Sequence, residues 1–187
     1  MRNIDARGWE LHLRHPNNGD SQNKRLSHDR SFIRACQAGE LELVKAVVER
    51  SQVGLEARGA YSETPLHLAA ENGRIPVVQY LCEQGAVMEA TSAGDATPLL
   101  MAASIGDLST VQYLCKQGAD EEARGDIGKT TLHWTAVIGH LAVVQYLCEQ
   151  DTDKDARDMN GVTPLGLFST QWLPPCGSVL RRVVVMG

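Results

Sequence analysis

The hexapeptide VVQYLC at 77–82 returns as TVQYLC at 110–115 and again as VVQYLC at 143–148. The matches carry their surroundings with them. Tyr80, Tyr113 and Tyr146 stand 33 residues apart, and so do Gly73, Gly106 and Gly139, Cys82, Cys115 and Cys148, and Thr64, Thr97, Thr130 and Thr163. A fixed period of this size is the signature of a stacked array, in which each unit is one supersecondary element that cannot bury its apolar face alone. The chain is therefore expected to fold as a solenoid, each unit packing on its neighbours.

The text of one unit shows what is stacked. In residues 57–90 the segment ARGAYSE is small, polar and glycine-containing, which suits a turn or short hairpin. TPLHLAAENG follows: Thr64 can cap a helix, Pro65 suits the first helical position because its missing N–H needs no partner there, and Gly73 suits the stop. RIPVVQYLCEQG repeats the grammar, with Pro76 in the first turn, Val77, Val78, Leu81 and Cys82 at helical spacing, and Gly85 at the end. Each unit thus reads as turn, short helix, second helix and return loop. Aromatic residues make up only 5% of the chain, so Leu, Val and Ala must fill thin helical layers. In the following unit Asp107 can cap the second helix. Thr131 stands where other units have proline, and Asp151 replaces a glycine, losing the left-handed conformation that glycine adopts without strain.

ETPLHLAAENG, ATPLLMAASIG and KTTLHWTAVIG, each followed by its VQYLC helix, resemble the ankyrin repeat, whose signature is T-P-L-H-x-A in a unit of this length. The resemblance implies an all-α ankyrin solenoid of helix-turn-helix units joined by hairpin-like loops. Full repeats are expected at 58–90, 91–123 and 124–156. RSFIRACQAGELELVKAVVERSQVGLEA lacks the Thr-Pro but aligns Ala35, Gly39, Leu43 and Val44 with Ala69, Gly73, Val77 and Val78, so 31–57 reads as a capping repeat with one additional residue in SQVGLEA. GVTPLGLFST opens a partial repeat at 157–168, and Pro174 and Pro175 forbid a normal second helix beyond it. Residues 1–30, polar and rich in Asn, Arg and His, are expected to be a disordered tail, and 169–187 an irregular one. A solenoid normally ends on a polar face, whereas this text ends on VVVMG: either the tail packs back as a cap or the chain is a truncated member of a longer array.

Motifs for chemistry do not stand outside the repeat frame. GDIGKT at 125–130 looks like a phosphate-binding loop, yet that motif needs glycine where Ala123 stands. Gly128 and Thr130 are instead the hairpin glycine and the helix cap. His67 and His133 belong to a residue type that titrates near neutrality, but acid-base work would need a converging partner. The resemblance implies that each ties a hairpin to a neighbouring repeat by hydrogen bonds. His140 follows a repeat glycine and is expected at the surface. There is no nucleophile elbow, H-E-x-x-H or paired-carboxylate constellation. Five cysteines are an odd number with no C-x-x-C spacing, and Cys82, Cys115 and Cys148, at one repeated position in apolar helical text, read as small buried hydrophobes in a reducing compartment. No enzyme, metal or cofactor is expected. The text has no apolar run of membrane-spanning length, and its start lacks the apolar stretch of a signal peptide, so an intracellular protein, cytoplasmic or nuclear, is expected.

Net charge is −5, while both ends are basic, so the repeats hold the acidic excess. Such a solenoid would repel phosphates, which argues against nucleic acid and for a partner protein with a basic surface. Stacked units create a concave surface from hairpin tips and the exposed side of the first helices. The resemblance implies that variable positions there carry partner contacts. They start polar, with Tyr61, Glu63, Glu71 and Asn72, and turn apolar, with Ile105, Ile127, Val137 and Ile138 beside Lys129. Exposed apolar residues at a helix end are expected at an interface rather than on a monomer's free surface. Trp134 replaces Leu68 and Met101 at a position that packs between helices, though tryptophan is also an enriched interface anchor. Ile127 and Ile138 could touch either a partner or the C-terminal tail. The expected function is a monomeric, non-catalytic protein-binding module. Two other readings fit the same text: a competitive inhibitor of an enzyme or transcription factor, and a structural fragment of a longer scaffold.

Overall fold

The structure, a computed structural model, describes residues 21–51, 54–150 and 152–171. Asp151, Pro174, Pro175, part of SQVGLEA and the outer portions of both tails lie outside the described residues. The described helices are α1 (Ser21–Ala38), α2 (Leu41–Ser51), α3 (Pro65–Glu71), α4 (Ile75–Glu83), α5 (Pro98–Ser104), α6 (Leu108–Lys116), α7 (Thr131–Ile138), α8 (Leu141–Glu149) and α9 (Pro164–Gln171), with no strand among the described residues. The all-α solenoid expected from the period is what forms. Inner helices α1, α3, α5, α7 and α9 stack in order, and outer helices α2, α4, α6 and α8 form a second row behind them.

Local chemistry sets the helix ends. Thr64 Oγ1 accepts the backbone N–H of His67 at 3.4 Å, while the Thr64 N–H donates to His67 Nδ1 at 3.1 Å. Thr97 accepts from Leu100 N at 3.3 Å, and Asp107 accepts both Ser109 N at 3.2 Å and the Thr110 hydroxyl at 2.6 Å. Side-chain oxygens thereby satisfy N–H groups that the helix itself leaves unpaired. Helices α1, α3, α5 and α7 are each followed by a glycine at positive φ; at Gly106, with φ +74°, a β-carbon would also stand 2.5 Å from His140 Nδ1. Any other residue there would meet both a left-handed backbone and an occupied space.

The core is a single apolar sheet of side chains between the two rows. Phe32, Val44, Leu66, Val77, Val78, Leu81, Val111, Leu114, Val143 and Leu147 are fully or almost fully excluded from water, with alanines between them. Cys36 and Cys148 are buried and Cys82 and Cys115 partly so, all as free thiols. Burial pushes Cys36 and Cys115 up to about 12 and Cys82 up to about 11. As thiols they fill space and resist ionisation.

One boundary differs from the sequence reading. Helix α1 begins at Ser21, inside the 1–30 stretch expected to be a disordered tail. That expectation rested on polar composition, which a helix can tolerate when it buries only part of its surface, here Phe32, Ala35 and Cys36.

Polar bonds tie neighbouring repeats at the hairpins, at two of the junctions, and in the loops that follow the outer helices. On the hairpin edge Arg58 Nη1 donates to Ser62 O and Thr91 O, both at 2.7 Å, and His67 Nε2 lies 2.9 Å from Ala96 O. The same pattern recurs further along. Arg124 Nη1 donates to Gly128 O at 3.1 Å and Arg157 O at 2.8 Å, and His133 Nε2 lies 3.0 Å from Val162 O. A carbonyl facing Nε2 and an N–H facing Nδ1 require the neutral imidazole with its proton on Nε2. Burial holds both histidines below their ordinary 6.5, which keeps that form. In the loops that lead from the outer helices into the hairpins, Glu56, Glu89 and Glu122 accept the backbone N–H of Val87, Asp120 and Asp153 at 2.8–2.9 Å.

Candidate partner-binding surface

The expected contact residues fall on the hairpin tips and on the exposed ends of the inner helices, in two groups. In the first full repeat Tyr61 is 71% exposed at its hairpin tip, and Glu71 is exposed at the end of α3. Their two companions are already engaged. Glu63 is half-buried, and its Oε2 accepts the Tyr61 N–H at 2.8 Å; Asn72 donates its Nδ2 to Leu68 O at 2.8 Å. Both residues shape this end of the surface while retaining less capacity for a partner.

The second group spans the second and third full repeats and is mostly aliphatic. Ile105 ends α5 at 43% exposure, Ile138 ends α7 at 38%, and Ile127 stands at the third hairpin tip at 40%. Val137 is half-buried between them along the chain. Ile105 leans back over the first full repeat, its Cδ1 lying 3.9 Å from where a β-carbon on Gly73 would be. Trp134 is half-buried, so the family expectation of a residue packed between helices holds only in part. Its indole Nε1 is near Gly125, and the Lys129 ammonium sits 4.9 Å from the ring centroid. A cation over an indole face is attracted by the ring quadrupole, by ~0.5–1 kcal/mol at an accessible site. Lys129 and Trp134 therefore form one unit, whereas Tyr61 lies two hairpins away from Ile127.

Ile127 is held in an unusual backbone state. Its φ is +53° and ψ 28°, and Gly128 follows at φ +70°. Two successive positive φ values describe the mirror-image hairpin turn, for which Asn and Gly are the suited residues. In the preceding hairpin the equivalent place is held by Gly94 at φ +86°. A β-branched side chain in the left-handed region costs roughly 1–2 kcal/mol. Strained side chains persist where the surrounding structure determines them, and they cluster at functional positions.

Sequence reasoning missed Met159, which is 79% exposed at the fourth hairpin and donates its N–H to Ile127 O at 3.0 Å. Extending the repeat register one hairpin further would have found it, since Met159 takes the place of Ala60, Ala93 and Asp126. Leu141, exposed at the start of α8, was missed because it belongs to an outer helix.

The surface contains no group of three His, Cys, Asp or Glu side chains arranged to hold a metal among the described residues. His67 and His133 direct both ring nitrogens into structural bonds. Among the described residues no helix is long and apolar enough to cross a membrane.

A family model described as ankyrin repeats (3 copies) matches residues 9–92 and 88–158, most of the chain. The chain belongs to the ankyrin-repeat family. It is 38% identical over 69 residues to alpha-latrocrustotoxin-Lt1a of Latrodectus tredecimguttatus, covering 37% of this chain and 5% of the toxin. It is 40% identical over 55 residues to BTB/POZ domain-containing protein 3 of Schizosaccharomyces pombe, covering 29% of this chain and 10% of that protein. The similarity thus spans a small part of each relative. Ankyrin repeats are in general modules for binding other proteins, and the family is generally non-catalytic.

Proposed function

We propose that the concave face of this ankyrin solenoid, centred on the second and third full repeats, captures a partner protein without catalysis. The observation that carries the reading is that Ile105, Ile127 and Ile138 are exposed on the two repeats that also carry the Lys129–Trp134 pair. Interface centres are rich in aliphatic and aromatic side chains with few charges, and water-excluded anchors supply most of the binding energy. Tyr61 and Glu71 form the polar end of the same face. The acidic excess of the repeats suits a partner with a basic surface, which would add steering rather than most of the affinity.

Ile127→Lys with Ile138→Lys tests the proposal. Wild type and double variant are used as bait in lysate, and their folds are compared by circular dichroism and melting temperature. Proteins retained by wild type and lost by a folded double variant support the reading. Identical retention by both overturns it.

A further inference from the structure

Three bonds that fasten the hairpin edge recur at two junctions and are missing from the one between them. At the junction of the first and second full repeats, Arg58 reaches Thr91 O, His67 reaches Ala96 O, and Ala93 N donates to Tyr61 O at 2.7 Å. Where the third full repeat meets the fourth hairpin, Arg124 reaches Arg157 O, His133 reaches Val162 O, and Met159 N donates to Ile127 O. Shifted into the junction of the second and third full repeats, the arginine position holds Thr91 and the histidine position holds Leu100. Neither side chain can donate across that distance, and no bond joins Asp126 N to Gly94 O. Leu100 packs there instead, its Cδ1 lying 3.1 Å from where a β-carbon on Gly125 would be. Apolar contact of that kind holds surfaces together but sets no direction.

The outer-helix side of the same junction is fastened at both ends of α8. His140 Nε2 lies 3.0 Å from Ser104 O, and Glu122 accepts Asp153 N at 2.8 Å. Inner helices α5 and α7 also touch over less of their length than the inner pairs on either side. A junction tied along one edge and untied along the other can open only by rotation about the tied edge.

We infer that the solenoid carries a hinge between its second and third full repeats, about which the two hairpins part while the outer-helix side stays joined. Hinge motion arises where a few positions absorb the rotation between two stiffer bodies, and here stapled repeats on both sides supply those bodies. The hinge stands on the bonding pattern alone. Its consequence rests on the proposed function: Ile105 lies on one body and Ile127, Trp134 and Ile138 on the other, so opening changes the spacing within the binding surface.

Spin labels carried by a non-canonical amino acid at the exposed, equivalent positions Ala60, Ala93 and Asp126 test the hinge by electron paramagnetic resonance without a partner. The 93/126 pair should give a wider distance distribution than the 60/93 pair. Thr91→Arg with Leu100→His restores the missing donors, and it should narrow the 93/126 distribution to the width of the 60/93 pair. Equal widths in the otherwise native chain overturn the inference, and that comparison needs no restored staple to fold. A folded restored variant whose 93/126 width is unchanged also overturns it.

Discussion

Thr131→Pro should stabilise this protein. Thr131 opens α7 in a fully buried position, and its Oγ1 has no hydrogen-bond partner. Burying an unsatisfied hydroxyl costs ~1–3 kcal/mol. Pro65, Pro98 and Pro164 occupy the same position in α3, α5 and α9, and each is buried, so the site is shaped for the ring. The first helical N–H needs no intrahelical partner, so proline removes nothing the helix uses. Thr130, at φ −80° and ψ 171°, already has the extended backbone required before proline. Restricting the unfolded chain adds ~0.4–1 kcal/mol. The combined gain is about 2 kcal/mol, and with a urea dependence of about 1–3 kcal/mol per molar the midpoint should rise by about 1 M. Thr131→Val removes only the hydroxyl and should gain about 1 kcal/mol. Equilibrium urea unfolding followed by circular dichroism measures both. A lower midpoint for Thr131→Pro, or no gain for Thr131→Val, would refute the reasoning that the orphan hydroxyl is a cost.

Stability should fall between pH 7.5 and pH 5.5. His67 and His133 are held below 6.5 in the folded protein, so on acidification the unfolded chain binds protons that the folded one resists. Their contribution is complete above about 6.5 and is lost as pH drops through that value toward the folded-state value; replacing both by leucine should flatten the urea midpoint across this window. Cys36 and Cys115, pushed up to about 12, should react with a thiolate-seeking reagent at pH 8 only after denaturant is added. Rapid labelling of either in the native state, read by mass spectrometry of peptides, would contradict that burial. Ile127→Asn should keep or raise the melting temperature, because about 1 kcal/mol of turn strain is relieved, while reducing partner capture.

The fold was legible because the period acts on every physical level at once. Thr64, Pro65 and Gly73 are helix grammar by themselves, and their recurrence turns a local reading into a stacked architecture. His67 and His133 were readable as structural for the same reason. The start of α1 at Ser21 was not readable, since it lacks the capping threonine that stands before each of the other inner helices. The partner surface was legible only in outline. Ile105 and Ile138 follow from helix register, but the engagement of Glu63 by the Tyr61 N–H and of Asn72 by Leu68 O depends on rotamers, which repeat periodicity does not encode. The left-handed state of Ile127 was hidden in another way: an isoleucine at a turn argues against positive φ, and only the neighbouring repeats force it there.

Departures from the repeat concentrate where the proposed function lies. Thr91 and Leu100 remove two staples, Ile127 introduces turn strain, Thr131 leaves a buried hydroxyl unpaired, and Trp134 replaces smaller apolar residues. All five lie in the second and third full repeats. Four of these changes work against stability or rigidity, yet the repeats on either side supply intact bonds that hold the segment in place. In a solenoid, stability is approximately a sum over units and their interfaces, so a weak interior junction is tolerated when its neighbours are strong. The same five positions also separate the architectural cost from any partner contact. Thr131 is fully buried at the start of α7, so repairing it should raise stability without altering the surface. Ile127 is exposed, so changing it should alter the surface while relieving strain. If Thr131→Pro also abolished partner capture, flexibility of α7 rather than its exposed side chains would be the property the partner requires.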